Sequence, residues 1–63
     1  MSQETKQAAK DTERDLRRAE EHLSAAEQSA KQTGDKSLHQ KVTKIKEAVT
    51  ETRKDLDSKL NGG

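Results

Sequence analysis

The residues of this 63-residue chain that titrate near neutral pH are its two histidines, His22 and His39. Neither has a second histidine or a cysteine at the spacing of a metal-ligand set, and on a helix Glu21 points about 100° away from His22. The chain contains no cysteine, which excludes a disulfide and a thiolate metal site. We therefore expect no metal ion and no catalytic histidine, and interpret both side chains as polar residues at the edges of solvated helices.

Carboxylates are the second group that could do chemistry. Those considered are Asp11, Glu13, Asp15, Glu20, Glu21, Glu47, Glu51, Asp55 and Asp57. General acid–base catalysis requires a pocket that desolvates a carboxylate, and two thin helices without aromatic residues do not easily enclose a ligand-sized cavity. No phosphate-binding glycine loop, nucleophile elbow or calcium-loop motif is present. The sequence predicts a protein that is not an enzyme, with no cofactor and no small-molecule substrate.

The most suggestive charge pattern is a basic stripe at three- and four-residue spacing. It consists of Lys6, Lys10, Arg14, Arg17 and Arg18. Such a stripe can contact phosphates, but Asp11 and Glu21 interrupt it, and no Phe, Tyr or Trp is available to stack on a base. We favour a solvated face in which Arg17 and Arg18 pair with Glu21. A nucleic-acid-binding regulator that uses the basic stripe is the alternative function.

Composition indicates that helices position these side chains. Hydrophobic residues make up 25% of the chain and charged residues 40%, yet the net charge is only +1 and proline is absent. The abundance of Ala, Glu, Lys, Gln and Arg is typical of long helices rather than of disorder. No segment has the apolar length of a signal peptide or a membrane span. We expect a cytoplasmic protein that does not bind membranes.

Apolar and small residues recur in alternating steps of three and four along both halves, which predicts two helices packed along a heptad seam. Folding about a turn near Gly34 brings matching layers together, so that Ala19 faces Val49 and a small residue meets a large one. The fold class predicted is all-α: one domain, residues 1–63, forming an antiparallel two-helix hairpin with an Ala-rich, coiled-coil-like seam. The predicted seam positions are Ala8, Thr12, Leu16, Ala19, Leu23, Ala26, Ala30, Leu38, Val42, Ile45, Val49, Thr52, Leu56 and Leu60.

Capping signals predict where the helices begin and end. Ser2 is suited to cap the first helix, and Gly34 to close it in the left-handed conformation. Ser37, with Gln40 three residues later, fits a capping box for the second helix. The predicted elements are a helix at about 3–32, a turn at 33–37 and a helix at about 38–60.

One edge of the seam is acidic on the first helix and basic on the second. In an antiparallel pair these edges adjoin, so the charges favour the hairpin over a parallel arrangement. Their expected role is to fix the register. The predicted pairs are Glu13 with Arg53, Glu20 with Lys46 and Glu27 with His39.

The opposite edge is less charged and carries smaller side chains. It contains Ala8, Asp15, His22, Ser29, Lys41, Ala48 and Asp55. Two thin helices leave much of their seam in water, so we expect self-association, with a dimer favoured, into a four-helix bundle, or docking on another helical protein. If a second hairpin packs on this one, this edge is favoured. Asp15 and Asp55 face each other there, which counts against the interface unless a base from the partner lies between them.

The architecture resembles, as a fold only, the small helical hairpins that dimerise into four-helix bundles. The chain shares no sequence motif with them, and a shared fold does not carry function. The function predicted from the residues is a self-associating, non-enzymatic module that presents helical surfaces to another protein.

Overall fold

The computed structural model describes residues 2–62 and contains two helices, α1 (Gln3–Gln32) and α2 (Lys36–Gly62). They pack against each other as a hairpin with dimensions of 47 × 15 × 12 Å. No strand is present in residues 2–62. The predicted all-α hairpin is therefore confirmed. Over the same residues, neither helix has a stretch long and apolar enough to cross a membrane.

Helix α1 begins at a serine cap. Ser2 has an extended backbone, and its hydroxyl accepts a hydrogen bond from the Thr5 amide at 3.2 Å. The Ser2 carbonyl accepts the first helical hydrogen bond, from the Lys6 amide at 2.9 Å. Glu4 lies in the first turn, where its negative charge is favourable against the helix dipole. The predicted cap is thus present.

The turn between the helices depends on Gly34. Its φ of +77° lies in the left-handed region, which is accessible to glycine at little cost. This conformation lets the Gly34 amide donate to the Lys31 carbonyl at 3.2 Å, and the Thr33 amide to the Ala30 carbonyl at 3.1 Å. Two carbonyls at the end of α1 are thereby satisfied, as expected at a glycine-closed terminus.

Helix α2 is capped by Asp35, so the predicted Ser37–Gln40 capping box is wrong. The Asp35 carboxylate accepts a hydrogen bond from the Leu38 amide at 3.0 Å, and its carbonyl accepts from the His39 amide at 3.0 Å. An aspartate is as good a cap as a serine, and Asp35 follows Gly34 directly. The turn is therefore shorter than predicted, and Ser37 lies inside the first turn of α2.

Substituting the cap tests this assignment. Asp35→Ala should lower the free energy of unfolding by about 0.5–2 kcal/mol, because the Leu38 amide loses its acceptor. Ser37→Ala is the matched control and should be neutral or slightly stabilising, since alanine is the better helix former. Urea denaturation followed by circular dichroism measures both. A larger loss at Ser37 than at Asp35 would restore the capping box.

Burial along the hairpin is shallow. Ala30, next to the turn, is 5% exposed and is the one buried residue among residues 2–62. The larger aliphatic side chains that contact the opposite helix are half-buried: Leu16, Leu23, Val42, Val49, Leu56 and Leu60. The hairpin therefore has a line of contact between two helices rather than an enclosed core.

Candidate functional site

The structure divides the predicted seam into covered and exposed positions. Covered positions are Ala30, which is buried, and the half-buried Leu16, Ala19, Leu23, Ala26, Val42, Val49, Leu56 and Leu60. Exposed positions are Ala8, Thr12, Leu38, Ile45 and Thr52. Ala9 is half-buried where Ala8 was expected. Most of the differences from the predicted seam lie on α2, because this helix is rotated about its own axis relative to the predicted orientation.

The rotation of α2 follows a seven-residue pattern. Leu38 is 42% exposed and Ile45 53% exposed, and Thr52 is also exposed. The residue after each of them is half-buried instead: His39, Lys46 and Arg53. The long stems of lysine and arginine can cover apolar surface while their charged ends stay near water. Basic side chains therefore take positions against α1 that the sequence pattern assigned to apolar ones.

Arg53 is the centre of an ionic cluster that joins the helices. Its Nε atom donates to Glu20 on α1 at 2.8 Å, and its guanidinium also donates to Asp57, one turn further along α2, at 2.7 Å. The side chains of Arg53 and Glu20 are only 16% and 19% exposed. Arg17 of α1 reaches the same Asp57 at 3.6 Å. Four charged residues thus bridge the two helices.

Glu27 makes the second bridge, closer to the turn. One carboxylate oxygen accepts from the Thr43 hydroxyl at 2.8 Å, and the other accepts from the Lys46 ammonium group at 3.2 Å. Thr43 was not predicted as a contact residue. Its position three residues before Lys46 places both on one face of α2, which is the signal that could have identified it.

The predicted pairing across this edge is wrong by one heptad. Glu20 contacts Arg53 rather than Lys46, and Glu27 contacts Lys46 rather than His39, which forms no ion pair with any residue from 2 to 62. Glu13 pairs with Arg17 on its own helix instead of with Arg53.

The physical reason for the shift is the direction in which helical side chains lean. Each leans toward the N-terminus of its own helix. In an antiparallel pair, Glu20 therefore leans toward the open end of the hairpin, opposite the turn, while Arg53 leans toward the turn. The backbone positions of Glu20 and Arg53 are offset along the hairpin, and their side chains lean toward each other and meet. The side chain of the predicted partner, Lys46, leans away from Glu20.

These contacts change the acidity of the groups that form them. The hydrogen bond from Arg53 lowers the pKa of Glu20 below its ordinary 4.5, and the Thr43 hydroxyl, followed by Lys46, lowers the pKa of Glu27. Glu20 in turn raises the pKa of Arg53. The carboxylates therefore stabilise the fold fully above about pH 4.5, and this contribution is lost as the pH falls through their lowered pKa values.

A neutral replacement of Glu20 tests this linkage. Glu20→Gln should lower the melting temperature at neutral pH, because Arg53 loses its charged partner. The difference from the wild type should shrink as the pH falls through the lowered pKa of Glu20, because the wild-type carboxylate then loses its charge as well. Glu21→Gln, at the exposed neighbouring position, is the control and should change little at either pH. A Glu20 variant as stable as the control at neutral pH would show that the bridge does not support the fold.

The basic stripe is exposed along α1, but acidic residues contact two of its members. Arg14 lies 3.3 Å from Asp15 and 3.7 Å from Asp11. Arg17 pairs with Glu13 and Asp57, and neither it nor Arg18 forms the predicted pair with Glu21 within the described chain. Acidic neighbours therefore neutralise more of the positive charge of the stripe than its sequence indicates. Lys6, Lys10 and Arg18 complete it and are exposed. Nucleic-acid binding through it stays a prediction.

The histidines lie apart. His22 is exposed on α1, while His39 is half-buried on α2 and contributes to lowering the pKa of Glu27 through its charge. Among residues 2–62, no cluster of three or more histidine, cysteine, aspartate or glutamate side chains has the geometry to hold a metal ion.

The side of the hairpin opposite the ionic bridges presents the exposed apolar residues. In antiparallel helices, equivalent wheel positions adjoin, so the bridges occupy one side and leave the other to Leu38 and Ile45. We call this second side the Ile45 face. It comprises Asp15, Ala19, His22, Ala26, Leu38, Lys41, Ile45, Ala48, Thr52 and Asp55. Exposed large aliphatics on a polar chain are the feature that most indicates an interaction surface.

No protein-family model, curated protein or solved structure matches this chain. The fold class, an all-α helical hairpin, therefore comes from the structure, and the function must be argued from its surfaces.

Proposed function

We propose that this protein is a non-enzymatic interaction module that pairs with a second copy of itself to form a four-helix bundle, and that the bundle presents helical surfaces to a protein partner. The observation that carries the proposal is the exposure of Leu38 and Ile45, at 42% and 53%, on one face of a hairpin with a single buried residue in the described chain. The proposal includes the cytoplasmic location that is expected from the sequence.

Size supports an association that stabilises the fold. A chain of about 60 residues buries only about 60% of the surface that it exposes when unfolded, and so is marginal alone. Here the described hairpin contributes one line of half-buried contacts. Covering Leu38 and Ile45 adds apolar burial where the single hairpin lacks it, and a heptad-spaced row is the pattern by which helices pack in bundles.

The concentration dependence of thermal unfolding tests self-association. A folded dimer that dissociates as it unfolds has a melting temperature that rises with protein concentration. We expect such a rise, followed by circular dichroism, from micromolar to millimolar protein. A cooperative transition at one temperature over that range would contradict the proposal.

The alternative function, nucleic-acid binding, is tested in parallel by adding a nucleic-acid duplex of random sequence at low salt. The variant in which Arg14, Arg17 and Arg18 are replaced by glutamate is the control.

A further inference from the structure

On the Ile45 face, the basic or protonatable residues lie toward the turn and the acidic residues lie toward the open end. On α2, Lys41 lies toward the turn and Asp55 toward the open end, with Ala48 midway between them. On α1, His22 lies toward the turn and Asp15 toward the open end, with Ala19 close to the midpoint. In each helix a basic or protonatable residue is thus separated by an alanine from an acidic one, in the same direction along the hairpin.

We propose that two copies of the chain associate through their Ile45 faces head to tail, with the turn of one copy over the open end of the other. This inference rests on the proposed function, since it names the surface and the orientation through which self-association takes place. The occupant of the face is a second copy of this chain.

This arrangement has a two-fold axis that lies in the plane of the interface, perpendicular to the helices and at the centre of the face. It lays α2 antiparallel on α2 of the second copy, crossing at Ala48, and α1 on α1 of the second copy, crossing near Ala19. Lys41 then faces Asp55 of the second copy, and the symmetry repeats the contact. On the other helix, Asp15 faces His22 of the second copy. The small side chains at both crossings let the backbones approach.

The opposite orientation, turn over turn, lacks these matches. It places α1 of one copy on α2 of the other, with equal distances from the turn aligned. Asp15 and Asp55 of the second copy then fall at nearly the same level, and like charges that meet in an interface are unfavourable. Within one hairpin Asp15 and Asp55 also lie at nearly the same level, and only the head-to-tail orientation places a base of the second copy in front of each of them.

The sizes of the side chains also favour the head-to-tail orientation. Leu38 and Ile45 lie in the half of the face nearer the turn, whereas the half nearer the open end carries Thr52 and no large aliphatic side chain. Head-to-tail packing sets large side chains against small ones. The hairpin is 47 Å long, so a contact along the whole Ile45 face extends over both helices of each copy.

A charge swap tests the orientation. Lys41→Glu and Asp55→Lys, each at an exposed position, should raise the dimer dissociation constant about tenfold, because either one converts both symmetric pairs into like-charge contacts. The double variant, Lys41→Glu with Asp55→Lys, should return to within about twofold of the wild type, because it restores opposite charges across the interface. Sedimentation equilibrium gives the constants, and circular dichroism checks helix content.

The control is Lys54→Glu, the same charge change at an exposed position off the face, which should leave the dissociation constant unchanged. A double variant that stays as weak as the single variants, or single variants as tight as the control, overturns the head-to-tail orientation. A wild-type chain that is monomeric at millimolar concentration overturns the proposed function as well. The two failures are therefore distinguishable.

Discussion

Replacing Ile45 by lysine is expected to convert the proposed dimer into monomers at concentrations where the wild type is associated. Ile45 is 53% exposed in the hairpin, and its exposed part becomes covered in the dimer. Because the interface is symmetric, the substitution removes two apolar contacts and buries two charges. The lost apolar burial alone amounts to about 2–3 kcal/mol, or roughly a hundredfold in the dissociation constant. Sedimentation equilibrium of both proteins measures the change.

The matched control adds the same charge to the outer side of α2. Gln40→Lys lies at an exposed position away from the Ile45 face and should leave the dissociation constant at its wild-type value. An Ile45 variant that associates as tightly as the Gln40 variant would contradict the role of this face. An Ile45→Lys monomer that has no helix at any concentration would instead support the buried seam position predicted from the sequence.

Enlarging Ala30 should give the largest loss of stability within the hairpin itself. Ala30 is 5% exposed, and its carbonyl accepts hydrogen bonds from both the amide and the hydroxyl of Thr33 at the turn. A leucine at this position has no room unless the helices separate beside the turn. Overpacking of this kind costs about 1–3 kcal/mol, measured as the change in the free energy of unfolding by urea denaturation.

The same substitution at an exposed alanine isolates packing from helix propensity. Ala25→Leu lies on the same helix and is exposed, and leucine is nearly as good a helix former as alanine. We expect it to be close to neutral. The half-buried Ala19 and Ala26 should fall between Ala25 and Ala30 when changed to leucine. Equal losses at Ala25 and Ala30 would mean that Ala30 is not packed against α2.

The ends of the helices show what local sequence can and cannot determine. Ser2 and Gly34 perform the roles predicted for them, because each acts through hydrogen bonds to residues three or four positions away. Asp35 and Ser37 are both good caps, and pattern alone does not choose between them. The choice depends on how tightly the chain reverses after Gly34, which is a property of the whole turn.

The orientation of α2 could not be derived from apolar spacing. The period of the pattern correctly gives a helix that packs along one side, but treating every apolar residue as covered assigns Ile45 to the contact. A single hairpin has only one neighbour for each helix, so it cannot cover a whole apolar stripe. Here Glu20 and Glu27 on α1 attract Arg53 and Lys46, and the ionic edge is covered in preference to Ile45.

Charge pairing was predictable in kind but not in partner. The sequence identifies an acidic edge on α1 and a basic edge on α2, and the structure joins them. The partners depend on side-chain direction, which carries Glu20 to Arg53. Asp57, which shares Arg53 with Glu20, lies four residues after Arg53 and so was recognisable from helical spacing.

If a second copy of the chain covers the Ile45 face, the molar mass of the wild-type protein in solution must show the association. Sedimentation equilibrium at several loading concentrations should give a mass that approaches twice the 7.0 kDa of the chain as concentration increases. Circular dichroism of the same samples should show helix content rising with the mass. A fully helical protein that remains at 7.0 kDa at every concentration would contradict self-association through this face.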